Sequence, residues 1–440
     1  MWVICIIIVM NQDYIELTKF LSTNVFNDVD INNEHTKFSS TSNIMLQNLY
    51  KIIIRAENAY DIKHISNEKL QLNKHTLPKG NSYAYFPDSI RIEIEKMQKI
   101  GCKYTFAIRI PKNSFGKQVT RTFTVYFICS NKTDNAMRYM NNAIKQIYMW
   151  LFVASYYARV ECSQTMNIYL YLTKLPKMLP EKGNVVGRSN VNTAFTTSCN
   201  PVTEINLFRQ EEWFKTFIHE TFHSMGLDFS EFDNHIVDKQ MFTMFPVDID
   251  IRLYETYCEM WGEIMNIMFS TYKSMRYNTS IENIVTKVPQ MINKVELLLV
   301  NEIKHSLYQA TKLLSHYDIS YMKLVETNII SSNENPRCNY KEKTQALSYY
   351  VIKSVLLFHI DTFIHWCARN NNLSINFTKI TADTNIEDKM MKYCDLIREH
   401  YLSPEYIIIM KQMHDKFHSI KKTNRNKYAL QNLRMTITNF

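Results

Sequence analysis

Residues 213–229, WFKTFIHETFHSMGLDF, place two histidines, His219 and His223, four positions apart, with Glu220 directly after the first. On a helix that spacing puts both imidazoles on one face, one turn apart, where they can take adjacent corners of a tetrahedral zinc ion. Glu220 projects to the side of the pair. A carboxylate there can take a proton from a zinc-bound water and later pass it to a leaving amine, while the ion lowers the pKa of that water to about 7. Trp213, Phe214, Phe217, Ile218, Phe222 and Met225 cover much of the helix circumference, so it is expected to be buried between two layers. Glu211 and Glu212 suit its positive end, and Gly226 suits its exit.

A catalytic zinc needs a third protein ligand and one open position. RLYETYCEMWGEIMNIM, residues 252–268, offers Glu255, Glu259 and Glu263 at i, i+4 and i+8, an acidic stripe on an otherwise apolar helix. Buried carboxylates require a cation or hydrogen bonds, and a metal supplies the cation.

With these two helices in view the chain resembles the gluzincins, zinc peptidases that carry HExxH on one helix and a glutamate ligand on a later one. In that family a small residue often follows the ligand glutamate by three positions, and an acid that orients the first histidine follows it by four. Glu259, Gly262 and Glu263 match this pattern, and so do Glu255, Cys258 and Glu259. Glycine permits the closer helix approach, so Glu259 is the expected ligand, Glu263 its orienting partner and Glu255 the reserve. The resemblance implies one Zn2+ per chain on His219, His223 and Glu259, Glu220 as general base, and a polypeptide substrate. It also implies a donor facing the oxyanion. LSYYVIKSVLLFHIDTFIH offers Tyr349, Tyr350, His359 and His365, and Tyr350 is the one chosen.

A second likeness is to the metzincins, because HETFHSMGLDF follows HExxHxxGxxH and TMFP at 243–246 resembles that clan's Met-turn. The third histidine would fall at Phe229, so Asp228, Asp233 or His235 would have to serve in its place. Residues 190–268 also resemble uncharacterised HExxH proteins of large nucleocytoplasmic DNA viruses, with which the richness in Asn, Ile, Lys and Tyr agrees.

The elements that must position these residues are legible in the periodicity. SIRIEIE, KYTFAIRI and RTFTVYFI alternate with period two and read as strands, the last two as a hairpin. A long buried helix follows from Thr133, then the strand MNIYLYLT, a glycine-bearing loop, the edge-strand candidate VNTAFTT and the strand EINLFR that leads into the HExxH helix. In the gluzincin likeness that edge strand pairs with the substrate backbone. Beyond about Phe245 helices dominate, at 251–270, 281–314, 340–368, 385–400 and 404–420. The expected fold is α+β and zincin-like, a mixed β-sheet with the active-site helix followed by a mostly helical C-terminal subdomain. The expected divisions are an N-terminal helical extension at 1–80, an α/β upper subdomain at 81–230 and a helical lower subdomain with a basic end at 231–440.

Composition bounds the remaining choices. A chain of 440 residues that is 46% hydrophobic buries a full core and is neither disordered nor a coiled coil. Its nine cysteines are scattered and never spaced CxxC, which implies free thiols in a reducing compartment. MWVICIIIVM is too short to span a bilayer and lacks the charged start of a signal peptide, so it reads as a buried strand or as a start really at Met10. Joined to the likeness to viral HExxH proteins, this implies a setting in the host cytoplasm or a virion, with no membrane span and no secretion. The net charge of +9 is concentrated at 411–440, where seven Lys or Arg face one acid, Asp415. Without interleaved aromatics this end reads as a solvated helix and tail ahead of a nucleic-acid contact. The alternative to a peptidase is a catalytically inactive zincin-fold virion or assembly protein, against which the intact Glu220 argues.

Overall fold

The computed structural model describes residues 12–73, 75–96, 99–130, 134–326, 340–379, 385–424 and 426–438; the apolar stretch at 1–10 lies outside them. Two helices, α1 (Gln12–Asn24) and α2 (Ser40–Ala59), lead into the strand β1 (Ser66–Gln71) and the short helix α3 (Asp88–Lys96). The long strands β2 (Lys99–Ile110) and β3 (Val119–Ser130) form an antiparallel hairpin, with Phe106 opposite Phe123. Their alternate residues Tyr104, Phe106, Ile108, Phe123, Val125 and Phe127 are buried, and the helix α4 (Asp134–Tyr157) packs on both strands. That helix is the crossover to β4 (Thr165–Thr173), which runs parallel to β3, as a right-sized α connection between parallel strands requires.

The chain then forms the two-residue β5 (Val186–Gly187), a turn of helix α5 (Arg188–Val191), β6 (Ala194–Thr196) and β7 (Val202–Arg209). The six-stranded mixed sheet has the order β1-β2-β3-β4-β7-β6, so β6 is an antiparallel edge strand, as its polar surroundings predict. From β7 the chain enters α6 (Trp213–Ser224), the HExxH helix, and continues through α7 (His235–Met244), α8 (Leu253–Arg276), α9 (Val288–His316) and α10 (Tyr321–Val325). A second short strand, β8 (Glu342–Lys343), pairs parallel with β5. A π-helical turn at Leu347–Ile352 runs into α11 (Lys353–Phe358), followed by α12 (Ile360–Asn370), α13 (Ile386–His400), α14 (Pro404–Thr423) and α15 (Lys427–Gln431). The α+β class and the helical second half therefore stand. Among the described residues no single helix is long and apolar enough to cross a membrane.

Four expectations are corrected. SIRIEIE is helical: Pro87 and Asp88 open α3, and the helix buries Ile90 and Ile94 at i and i+4 while Ile92, which a strand would hold on the same face, is exposed. The described residues before 81 are no appendage, because β1 pairs with β2 and Glu57 of α2 binds Lys145 of α4 (2.6 Å) and Arg276 of α8 (2.8 Å). Cys162 and Cys199 form a disulfide across a separation of 37 residues, a closure worth roughly 3–4 kcal/mol in loop entropy, whereas Cys102, Cys258, Cys367 and Cys394 are free and buried.

The fourth concerns the C-terminal tail, which is buried within the fold. Leu433, Met435 and Ile437 are covered, Met435 N–H donates to Glu212 (2.7 Å), and Thr438 N–H donates to Glu302 (2.6 Å). Burial, with Glu263 nearby, raises the Glu302 pKa to about 8, above its ordinary value of 4.5. The folded chain thus holds a proton there that the unfolded chain releases, so this contribution to stability is present below about pH 4.5 and is lost as pH rises towards 8. Chemical denaturation from pH 5 to pH 9 is expected to show Glu302→Gln gaining at least ~1 kcal/mol on the wild type across that window.

Candidate metal centre

Every residue of α6 is buried, as its apolar circumference predicts. Its entry is unusual. Glu212, at the N-cap, has a left-handed backbone (φ 49°) and a buried carboxylate that binds Lys177 and accepts the backbone N–H groups of Met435 and Thr436. Its exit is a glycine turn: Gly226 has φ 61°, Leu227 N–H bonds Phe222 O (2.8 Å), and Gly226 N–H bonds His223 O (3.2 Å). That turn returns the chain at once to the helix end and delivers Asp228 beside His223.

The two imidazoles converge as the spacing of four requires, with their Nε2 atoms 3.2 Å apart. The carboxylate that meets them comes from Glu255: its Oε2 lies 3.1 Å from His219 Nε2 and 3.3 Å from His223 Nε2. His219, His223 and Glu255 thus present three donor atoms within metal-ligating reach of one another. Behind them, Asp228 binds His223 Nδ1, and its other oxygen accepts the Ser230 N–H (3.1 Å) and hydroxyl (2.9 Å). Glu259 Oε1 lies 2.9 Å from His219 Nδ1, an ionic contact out of line with an ideal N–H bond. Carboxylates on the far nitrogens of paired histidines fix the rings and leave both Nε2 atoms for an ion.

The carboxylate that meets both Nε2 atoms thus lies one helical turn before Glu259, the expected third donor. Glu259 faces the back of His219 and binds Lys215, and Glu263 binds Lys353 (2.7 Å) away from both histidines. Gly262 does permit close approach, since a Cβ there would sit 3.4 Å from Lys215 O and 3.7 Å from His219 Cβ, but the contact it permits brings Glu259 to the Nδ1 side. The register Glu255, Cys258, Glu259 is the one that fits, with Cys258 Sγ donating to Asp228 (3.2 Å). Tyr350 is also displaced: its hydroxyl donates to Leu433 O, whereas Tyr349 donates to Glu255 Oε2 (3.2 Å). Successive helical residues diverge by about 100°, so only one of the pair can face the site. Of the metzincin-like substitutes, Asp228 lies behind His223, Asp233 accepts the His235 N–H on the surface, and Phe229 packs on Phe377 (4.3 Å).

Lys215 and Lys353 were not singled out from the sequence, although each interrupts an apolar helical run, which is the signature of a buried cation with an acid nearby. They answer two of the three carboxylates for which a metal was the expected cation.

A polar cleft of about 500 Å³ opens onto the donors and is bordered by Glu220, Tyr349, Arg188 and β6 residues Ala194–Thr196. Burial raises the Glu220 pKa above the ordinary carboxylate value, which suits a base working near neutrality. Burial opposes protonation of both histidines, but the carboxylates prevail: contact with Glu255 and Glu259 raises the pKa of His219, and Asp228 and Glu255 raise that of His223 well above 6.5. Comparison with family models, curated proteins and solved structures finds no match for this chain, so the site rests on its own geometry.

An ion can bind only neutral Nε2 atoms, so binding must expel the protons that the carboxylates hold on the rings. Zinc affinity, measured by competition with a chromophoric chelator, is therefore expected to be at least tenfold weaker at pH 5.5 than at pH 7.5. Asp228→Asn is expected to weaken it about 10–100-fold through loss of ring orientation.

Proposed function

We propose that the chain is a zinc-dependent peptidase of gluzincin type, with His219, His223 and Glu255 holding one Zn2+ and Glu220 acting as general base. The observation that carries this reading is the convergence of the two Nε2 atoms and the Glu255 carboxylate on one point at the floor of a cleft bordered by Glu220. The ion would supply a polarised water. The chain's own residues do the rest: Glu220 takes the proton, Asp228 and Glu259 hold the imidazoles, and Tyr349 presents a hydroxyl at the same point for the developing oxyanion. The open edge of β6 runs along the cleft and suits an extended polypeptide, which would add a strand there. The zincin-like fold and a setting in a large DNA virus belong to the same proposal and rest on the sequence resemblance.

Metal content is the first test. Wild type is expected to carry about one zinc per chain, Glu255→Ala to lose it, and Glu259→Ala to keep a weakened site; zinc retained by Glu255→Ala would defeat the assignment. Glu220→Gln is expected to keep its zinc while cleavage of a casein or peptide-library substrate falls by about 10²–10⁴. Tyr349→Phe is expected to lower kcat by about 10²–10³, with Tyr350→Phe near wild type. A purely structural zinc protein would show no cleavage for these variants to lose.

A further inference from the structure

The Cys162–Cys199 disulfide lies where three segments that shape the site meet. Cys162 lies within the connection from α4 to β4 and is fully buried, while Cys199 is partly buried in the turn between β6 and β7. The third segment is the exit of α6: a Cβ on Gly226 would lie 2.8 Å from Cys162 Sγ, so the turn that carries Asp228 to His223 rests directly on this sulfur. Arg159 completes the junction. Its guanidinium donates to Cys199 Sγ (3.2 Å) and lies 2.9 Å from Glu161 and from Glu231, which follows Asp228 by three residues.

The turn that the disulfide anchors borders the cleft, since Thr196 and Ser198 both line it. Beyond the disulfide, the turn is held by Asn200 O and Pro201 O, which accept the N–H groups of Ser163 and Thr165. Those bonds sit on the β7 side; towards β6 the turn is held by Thr197, whose N–H donates to Glu204 O (3.1 Å) and whose hydroxyl accepts the Glu204 N–H (2.9 Å), so between Thr197 and Asn200 it is the disulfide and the Arg159 contact that hold Cys199 in place.

We propose that Cys162–Cys199 is a redox modification site that sets the order of the β6–β7 edge and with it the substrate cleft; as regulation of cleavage it rests on the peptidase reading, whereas as a redox site it stands alone. The reductant is a dithiol. Its thiolate attacks the more accessible Cys199 Sγ, a new S–S bond forms, and the electron pair of the broken bond leaves on Cys162, which takes up a proton. The second thiol of the reductant then displaces Cys199 and closes an oxidised cyclic disulfide, leaving two protein thiols. Arg159 stabilises the Cys199 thiolate so formed, which keeps it reactive towards reoxidation. Among the described residues the free cysteines Cys102, Cys258, Cys367 and Cys394 are buried.

The test compares the purified full chain with and without dithiothreitol, alongside Cys199→Ser, which cannot form the bond. Amide hydrogen exchange at 194–201 is expected to quicken at least tenfold on reduction and to be fast in Cys199→Ser in either condition, with exchange in the centre of α6 unchanged. Peptide cleavage is expected to fall at least fivefold on reduction of wild type and to stay at the lower level in Cys199→Ser. Any loss through zinc chelation by the dithiol appears in that variant too and is subtracted. Exchange that changes less than twofold, or native protein prepared without reductant in which both cysteines are open to alkylation, would overturn the proposal. Exchange that responds while neither state cleaves peptide leaves the redox site in place and removes the peptidase reading.

Discussion

Three carboxylates stacked on one buried helix face must each meet a positive partner, and the architecture around α8 follows from that demand. An isolated buried carboxylate costs several kcal/mol, so Glu255, Glu259 and Glu263 cannot be tolerated unless other elements bring cations to them. α6 brings His219, His223 and Lys215 on one face, and α11 brings Lys353. The packing of α6 on α8 is thus electrostatic as well as apolar, and the candidate metal position is the point on the stripe where one acid meets both imidazoles. Lys215 and Lys353 are the lysine partners of the lower two acids. At Glu255 a metal ion can replace protons.

The same logic extends outward. Glu212 and Glu302 are buried acids that draw in the backbone of the C-terminal tail, and Glu57 ties the N-terminal α2 to α4 and α8. Segments distant in sequence are thereby assembled on one charged interior. This explains why neither end of the described chain behaves as an appendage, although the hydrophobic pattern alone reads both as peripheral.

What was legible in the sequence was what depends on local spacing. The hairpin of β2 and β3, the edge strand β6 and the burial of α6 follow from alternation and helical periodicity, which act within a few residues. The identity of the third donor does not. Glu255 and Glu259 are equivalent in pattern, and the choice between them is made by the relative height of two packed helices, a tertiary quantity. Tyr349 and Tyr350 differ only by rotation about a helix whose π-helical turn shifts the phase. The α3 segment failed for another reason: alternating isoleucines spaced by two also satisfy i and i+4, and the Pro87–Asp88 start decides between the two periods. The disulfide pairing, between scattered cysteines 37 residues apart, left no mark in the spacing.

The buried tail also sets the order in which the molecule can be finished. The carboxylate at the entry of α6 takes its backbone donors from Met435 and Thr436, more than two hundred residues later in the chain. Translation adds residues from the N-terminus, and a domain completes its packing only when all its parts have emerged. A nascent chain stalled between residues 264 and 434 therefore carries both histidines and all three glutamates yet lacks the segment that seats the start of their helix. The start of α6 is thus seated only once residues 435 and 436 have been made and have folded back onto it.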